Sequence, residues 1–213
     1  RLQVFGCMNF LDEFALILMM STIPLFTRSR YGWSPSKRSV FFLAIGLLTP
    51  MQMCCVLRPL LKHRGEVFVL KLGYIATCLA YAIMFVIGMT EVGVAFYTTT
   101  VAFTLGLISN PTQLGMAVRE LPPEEYGRLS GGLSLLETLG KALAPCIGGI
   151  LMGYGMQWDC PSLLYLVAAV VMLPGVLLAF GMQALDRAIF ATPQGQPQAQ
   201  PAAAAAAAAQ AAP

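Results

Sequence analysis

The chain has 213 residues, 57% of them apolar and only 11% charged, less than half the ~25% charged share usual in a soluble domain. Its 13 Lys and Arg, 10 Asp and Glu and 1 His leave a formal net charge of +3, which excludes acidic tails and basic patches on the scale nucleic-acid binding requires. A membrane-crossing helix needs about 20 mostly apolar residues for ~30 Å of hydrocarbon, so the length accommodates six or seven spans and little else.

Apolar runs broken by charge or by Gly/Pro clusters predict six spans, in chain order 5–26, 39–60, 67–88, 92–117, 129–153 and 162–184. The breaks are short and polar: 27–38 holds four cations, 61–66 carries Lys-His-Arg-Gly-Glu, Thr90-Glu91 is a tight turn, and 119–128 is rich in charge and proline. Such links join antiparallel neighbours in an all-α bundle. Transmembrane strands would need segments of about ten residues with strict alternation, which the run 163–178 lacks. Residues 1–185 are thus expected to form the bundle. The remainder, 186–213, ends in Pro, Gln and Ala with the run Ala202 to Ala209, a composition expected to be disordered.

An even number of spans places both ends on one side of the membrane. Arg1, Arg58, Lys62, Arg64, Lys71, Arg119, Arg128 and Arg187 fall on that side and Arg28, Arg30, Lys37 and Arg38 on the other, so both ends are expected to be cytoplasmic. The chain opens on Arg1 without a cleavable signal and reads as a fragment with further spans before it. Of the six cysteines, only Cys160 falls in a loop; Cys7, Cys54, Cys55, Cys78 and Cys146 read as small buried apolar residues without metal-ligand spacing. His63, alone among cations, reads as a solvated side chain.

A charged group at mid-depth costs at least ~2.5 kcal/mol on insertion scales, so charges within spans are the first functional candidates. In the first span Asn9, Asp12 and Glu13 are spaced i, i+3, i+4 on one helical face. Two readings stay open: a carboxylate pair lining a polar cavity, where mutual repulsion suits one acid to carrying a proton, or an acid pair near a helix N-terminus, wetted by water and favoured by the dipole. In the fifth span Ser130, Ser134, Glu137 and Lys141 form one stripe expected to face the bundle interior, with Glu137 and Lys141 in the favourable i, i+4 order. That pair either contacts a substrate or satisfies itself and a neighbouring helix. In the fourth span Thr99, Gly106, Asn110 and Gln113 form a third stripe, and Pro111 predicts a kink.

The third and sixth spans carry no mid-membrane charge and read as lipid-facing supports, so polarity falls with a three-span period that suggests two repeats. Gly127-x-x-x-Gly131 and Gly149-x-x-x-Gly153 place small residues where helix backbones can approach. With Gly140, Pro145 and Gly148 they mark the fifth span as close-packed and bending.

The stretch 106–155, GLISNPTQLGMAVRELPPEEYGRLSGGLSLLETLGKALAPCIGGILMGYG, resembles the tenth and eleventh helices of the major facilitator superfamily, especially its tetracycline-resistance-like drug:proton antiporter branch. The likeness rests on Pro111, on the link from Pro122 to Arg128, and on Ala144-Pro145 followed by Gly148-Gly149. A second match, from Pro59 to Glu66, looks like the degenerate second-half copy of the family's basic inter-helix loop, with Gly65-Glu66 where a fuller copy carries cations.

The resemblance implies six helices as two inverted three-helix repeats, the C-terminal half of a twelve-span bundle whose preceding half is absent. It implies alternating-access transport of a small organic solute, for which the polar groups within the spans supply the expected residues: Asp12 and Glu13 in proton or cation coupling and Asn110, Gln113, Glu137 and Lys141 along the pathway. Lys62, Arg64 and Arg128 would then latch the inward-closed state. The expected partners are the solute, the bilayer and the missing half; neither a cofactor nor nucleic acid is expected, only a proton gradient. A non-transporting receptor or scaffold of the same fold is the competing expectation. A membrane enzyme is disfavoured, because no nucleophile-base pair or metal cluster occurs at membrane depth.

Overall fold

A computed structural model describes residues 2–120 and 122–191, with side chains placed as far as Met182 except that of Pro123. Helix α1, Leu2–Tyr31, carries Arg28 and Arg30 in its last turn, where cations oppose the carbonyl end of the dipole. Gly32, at φ 61°, reverses the chain, a left-handed conformation that favours glycine. Ser34 then caps α2, its hydroxyl accepting from the Lys37 N–H at 3.5 Å. The cationic loop expected over 27–38 therefore shrinks to three residues, its four cations being taken up by helix ends.

Helix α2, Pro35–Arg64, contains Pro50, which removes one rung of the ladder, and a wider π turn follows at Met53–Leu57. Gly65, at φ 80°, makes the next reversal by itself, and α3, Glu66–Met89, begins at once.

The expected fourth span is broken. A 3-10 turn at Gly93–Thr98 leads into α4, Thr99–Gly106; Leu107 and Ile108 leave the helix, and α5, Ser109–Arg119, resumes it. The kink predicted at Pro111 thus falls four residues upstream. Proline has no N–H for the carbonyl of Leu107, and its ring crowds that carbonyl, so the ladder fails there. Pro111 itself sits third in α5, where an N–H would have had no partner. Helices α6, Tyr126–Gln157, and α7, Leu163–Ala191, complete the bundle. Among the described residues there is no strand, and α1, α2, α3, α6 and α7 are the five helices long and apolar enough to cross a membrane. Helix α7 runs to Ala191, past the expected bundle limit at 185; residues 192–213, with the alanine run, lie outside the described residues.

Successive reversals bring one set of helix ends together at Trp33, Phe96 and Tyr165. There Trp33 stacks on Tyr97 at 4.8 Å and Phe26 meets Tyr165 edge-on at 5.0 Å. Tyr31 donates to the Ile87 carbonyl at 3.0 Å, Arg30 to that of Met89 at 2.9 Å and Tyr97 to that of Lys37 at 2.9 Å. This aromatic end is closed; the polar residues of α1, α5 and α6 lie toward the other.

Several expectations are corrected. Helix α3 is a core helix, with Tyr74, Tyr81 and Met84 fully buried, while α2 and α6 are the most exposed. Charge alone misplaced α3, because a tyrosine hydroxyl carries polarity into a core without charge. Gly148 is a contact: a Cβ there would lie 2.8 Å from Thr22 Cγ2 on α1. Gly127, Gly131, Gly149 and Gly153 face open space, so neither GxxxG pair seats a helix among the described residues. Helix α6 runs unbroken through Pro145. Cys7, Cys54, Cys55 and Cys146 are exposed rather than buried, since a lipid-facing surface is as apolar as a core and accepts the same side chains.

Candidate functional site

Two glycines bring the broken element against α3. A Cβ on Gly73 would meet Ser109 Cβ at 2.8 Å and Ser109 N at 2.9 Å, and one on Gly106 would meet Thr77 Cα at 2.9 Å. Only glycine permits backbones this close. The approach carries the start of α5 under α1, where Ser109 Oγ donates to Asp12 Oδ2 at 3.3 Å and Asn110 Nδ2 donates to Glu13 Oε1 at 3.1 Å.

Asp12 is 7% exposed and Glu13 8%, and α1 has no acid in its first turn. Both carboxylates are therefore packed against α5 rather than placed at the helix end. Asp12 is enclosed with Ser109, whereas Glu13 and Asn9 reach a cavity.

That cavity holds about 360 Å³ and is walled by Asn9 and Glu13 of α1, Asn110 and Gln113 of α5, and Ser130, Ser134 and Glu137 of α6. Part of each polar stripe thus converges on one space, while Asp12, Thr99, Gly106 and Lys141 are not among its walls. Its floor is fixed by Gln113, 3% exposed, whose Nε2 donates to the Phe5 carbonyl at 2.6 Å while its Oε1 lies 2.8 Å from the Tyr74 hydroxyl. Tyr74 also lies 3.1 Å from the Met8 carbonyl; with one proton to donate, the hydroxyl ties α3 to both α1 and α5. Buried amides held at both ends present a fixed pattern of donors and acceptors.

Ser130, Ser134 and Glu137 of the α6 stripe face this cavity, as expected, but from its open edge. Ser130, Ser134 and Lys141 are exposed, and Lys141 pairs with Glu137 on the rim, the two side chains 47% and 35% exposed. The α6 stripe forms an open wall because, among the described residues, no helix covers α6 on that side.

The expected latch cations lie at the ends of two helices. Lys62 and Arg64 end α2, both exposed, with Arg64 5.7 Å from the Phe68 ring centroid; Arg128 lies in the first turn of α6. The ion pair at this end joins Glu66 of α3 to Arg119 of α5 at 2.6 Å, so the acid that breaks the basic loop's pattern has a cation of its own.

Sequence reasoning missed Tyr74, Ser109 and Gly73. The available signal was the cluster Gly73, Tyr74 and Thr77, small and polar residues one turn apart within an otherwise apolar span. Among the described residues no group of His, Cys, Asp and Glu is arranged to hold a metal.

A family model, the Major Facilitator Superfamily, matches residues 3–145. The match takes in α1 to α5 and the half of α6 that walls the cavity, with both buried acids, the proline break and Glu137. This chain, with five membrane-length apolar helices and a polar cavity between α1, α5 and α6, belongs to the major facilitator superfamily of membrane transporters.

Proposed function

We propose that the chain is the C-terminal half of a twelve-span secondary transporter that moves a small organic solute by alternating access, coupled to protons, in the manner of the tetracycline-resistance-like antiporters. The observation that carries this reading is the cavity of about 360 Å³ between α1, α5 and α6. It is small, carries polar groups on each of its three walls among the apolar Phe5, Leu114, Ala117 and Leu133, and lies beside a buried carboxylate. Glu13, Asn110, Gln113 and Glu137 line the solute path, with Lys141 at its rim. Asp12, enclosed by Ser109, exchanges the coupling proton.

The broken element counts as the sixth span, giving two inverted three-helix repeats, 2–89 and 93–191, about a midplane site. The exposed polar wall of α6 faces the preceding half, which shields it. Lys62, Arg64 and Arg128 belong to the cytoplasmic loops that close the inward side, with the Glu66–Arg119 pair bracing the link between them. Both ends of the segment are cytoplasmic by the distribution of cations.

The test is transport by the full-length protein in proteoliposomes under an imposed pH gradient, screening cationic and neutral drug-like solutes. Wild type is expected to accumulate solute only with the gradient. Asp12→Asn is expected to lose gradient-driven accumulation while keeping exchange, and Glu13→Gln and Glu137→Gln to weaken solute affinity. Unchanged transport in all three variants at equal membrane abundance would remove the site. Gradient-independent uptake by wild type would remove the coupling, and absence of any transport would favour a receptor or scaffold.

A further inference from the structure

A second concavity lies on the opposite flank of the α1–α6 pair. It is an apolar groove of about 1000 Å³ between α1, α6 and α7, walled by residues such as Leu2, Phe10, Leu136 and Leu178. Along α6, Ser130, Ser134 and Glu137 face the polar cavity and Leu129, Gly132 and Leu136 face the groove, with Leu133 as the ridge between. Through Pro174 and Leu178 the groove continues into a further apolar recess of about 520 Å³ between α1 and α7. It exists because α6 packs onto α1 through Gly140 and Gly148, while Gly127, Gly131 and Gly132, nearer its N-terminus, have nothing within contact of a Cβ.

The groove's polar groups gather at one end. Gln3 and Arg128 line it there, and Arg128 lies in the first turn of α6, whose N-terminus has no side-chain cap. A guanidinium at a helix N-terminus suits a phosphate. Glu124 and Glu125, on the preceding turn, are not among the lining residues.

We propose that this groove is a binding site for an anionic glycerophospholipid, with its acyl chains along the α1–α6–α7 walls and its phosphate on Arg128. A chain with five membrane-length helices meets hydrocarbon along its apolar outward faces, and a long apolar slot with one cation at its end matches the polarity of a single lipid. The proposal rests on membrane insertion alone, not on the transport reading. Because Leu133 separates the two spaces, an occupant of the groove leaves the polar cavity free.

The experiment is native mass spectrometry of the full-length protein after reconstitution in equal parts phosphatidylglycerol and phosphatidylcholine. Wild type is expected to retain phosphatidylglycerol preferentially. Arg128→Ala should reduce that preference about fivefold, the contribution of one cation at a membrane surface. Lys62→Ala, removing an exposed cation at the same end but outside the groove, should leave it unchanged. Gly132→Phe fills the slot from a position whose Cβ meets nothing within 4 Å, and should lower retention of both lipids. Equal losses in the Lys62 and Arg128 variants, meaning diffuse surface potential, would overturn the proposal. So would Gly132→Phe leaving lipid retention intact, or changing only the oligomeric state, which would put a second protein chain in the groove.

Discussion

Gly73→Ala tests whether backbone contact between α3 and α5 holds the site together. The added methyl would lie 2.8 Å from Ser109 Cβ, 2.9 Å from its N and 3.0 Å from its Cα. Ordinary carbon contacts lie near ~3.5 Å, so α5 has to retreat by about 0.7 Å. Two of the three opposing atoms are backbone, and rotamer changes cannot relieve them. Overpacking of this kind costs about 1–3 kcal/mol, which for a chain of this size is roughly 2–12 °C in unfolding midpoint at ~2–4 °C per kcal/mol. The same retreat strains the Ser109–Asp12 and Asn110–Glu13 bonds, so solute affinity should fall with stability. The assay is thermal unfolding of the purified full-length protein in detergent, paired with transport.

Two controls sharpen this test. Gly149→Ala adds a methyl where nothing lies within 4 Å and should stay within about 0.5 kcal/mol of wild type. Ser109→Gly in the Gly73→Ala background removes the Cβ contact together with the hydroxyl on Asp12, and should restore stability only in part. Equal midpoints for Gly73→Ala and Gly149→Ala, or full rescue by Ser109→Gly, would refute the backbone-contact argument.

Three further outcomes are expected. Tyr74→Phe removes the hydroxyl shared between Gln113 and the Met8 carbonyl, which should cost about 1–3 kcal/mol for the buried acceptor left behind; a midpoint equal to wild type would show that the tie carries no weight. Tyr165→Phe removes a fully buried hydroxyl with no partner among the described residues, so the same melting assay should show no loss and a gain of up to ~1 kcal/mol. Glu66→Gln breaks a pair whose Arg119 side chain is 73% exposed. It should change stability by at most about 1 kcal/mol, and its signature should be the rate of transport rather than the melting point.

The membrane class, the helix type and the location of five long helices were legible in the sequence, because each depends on local composition and a bilayer accepts few alternatives. The acids of α1 and the stripes of α5 and α6 were legible for the same reason: a charge or amide within an apolar run stands out against its neighbours. The proline break was legible as an event but misplaced by one turn, since its effect is exerted on the carbonyl four residues earlier.

What only the tertiary structure decided is which of these faces meet. Tyr74 reads as one more apolar-span aromatic until its hydroxyl is found between Gln113 and Met8. Glu66 reads as a defect in a basic loop until Arg119 is placed beside it. Gly148 and Gly149 are neighbours in sequence, yet one touches α1 and the other touches nothing, a difference of about 100° around the helix axis. Hydrophobicity in a membrane chain drives helices into the bilayer but does not distinguish a neighbouring helix from lipid. Helix partners are selected by close contacts and buried hydrogen bonds between residues far apart in the chain, and those arise only when the helices are assembled.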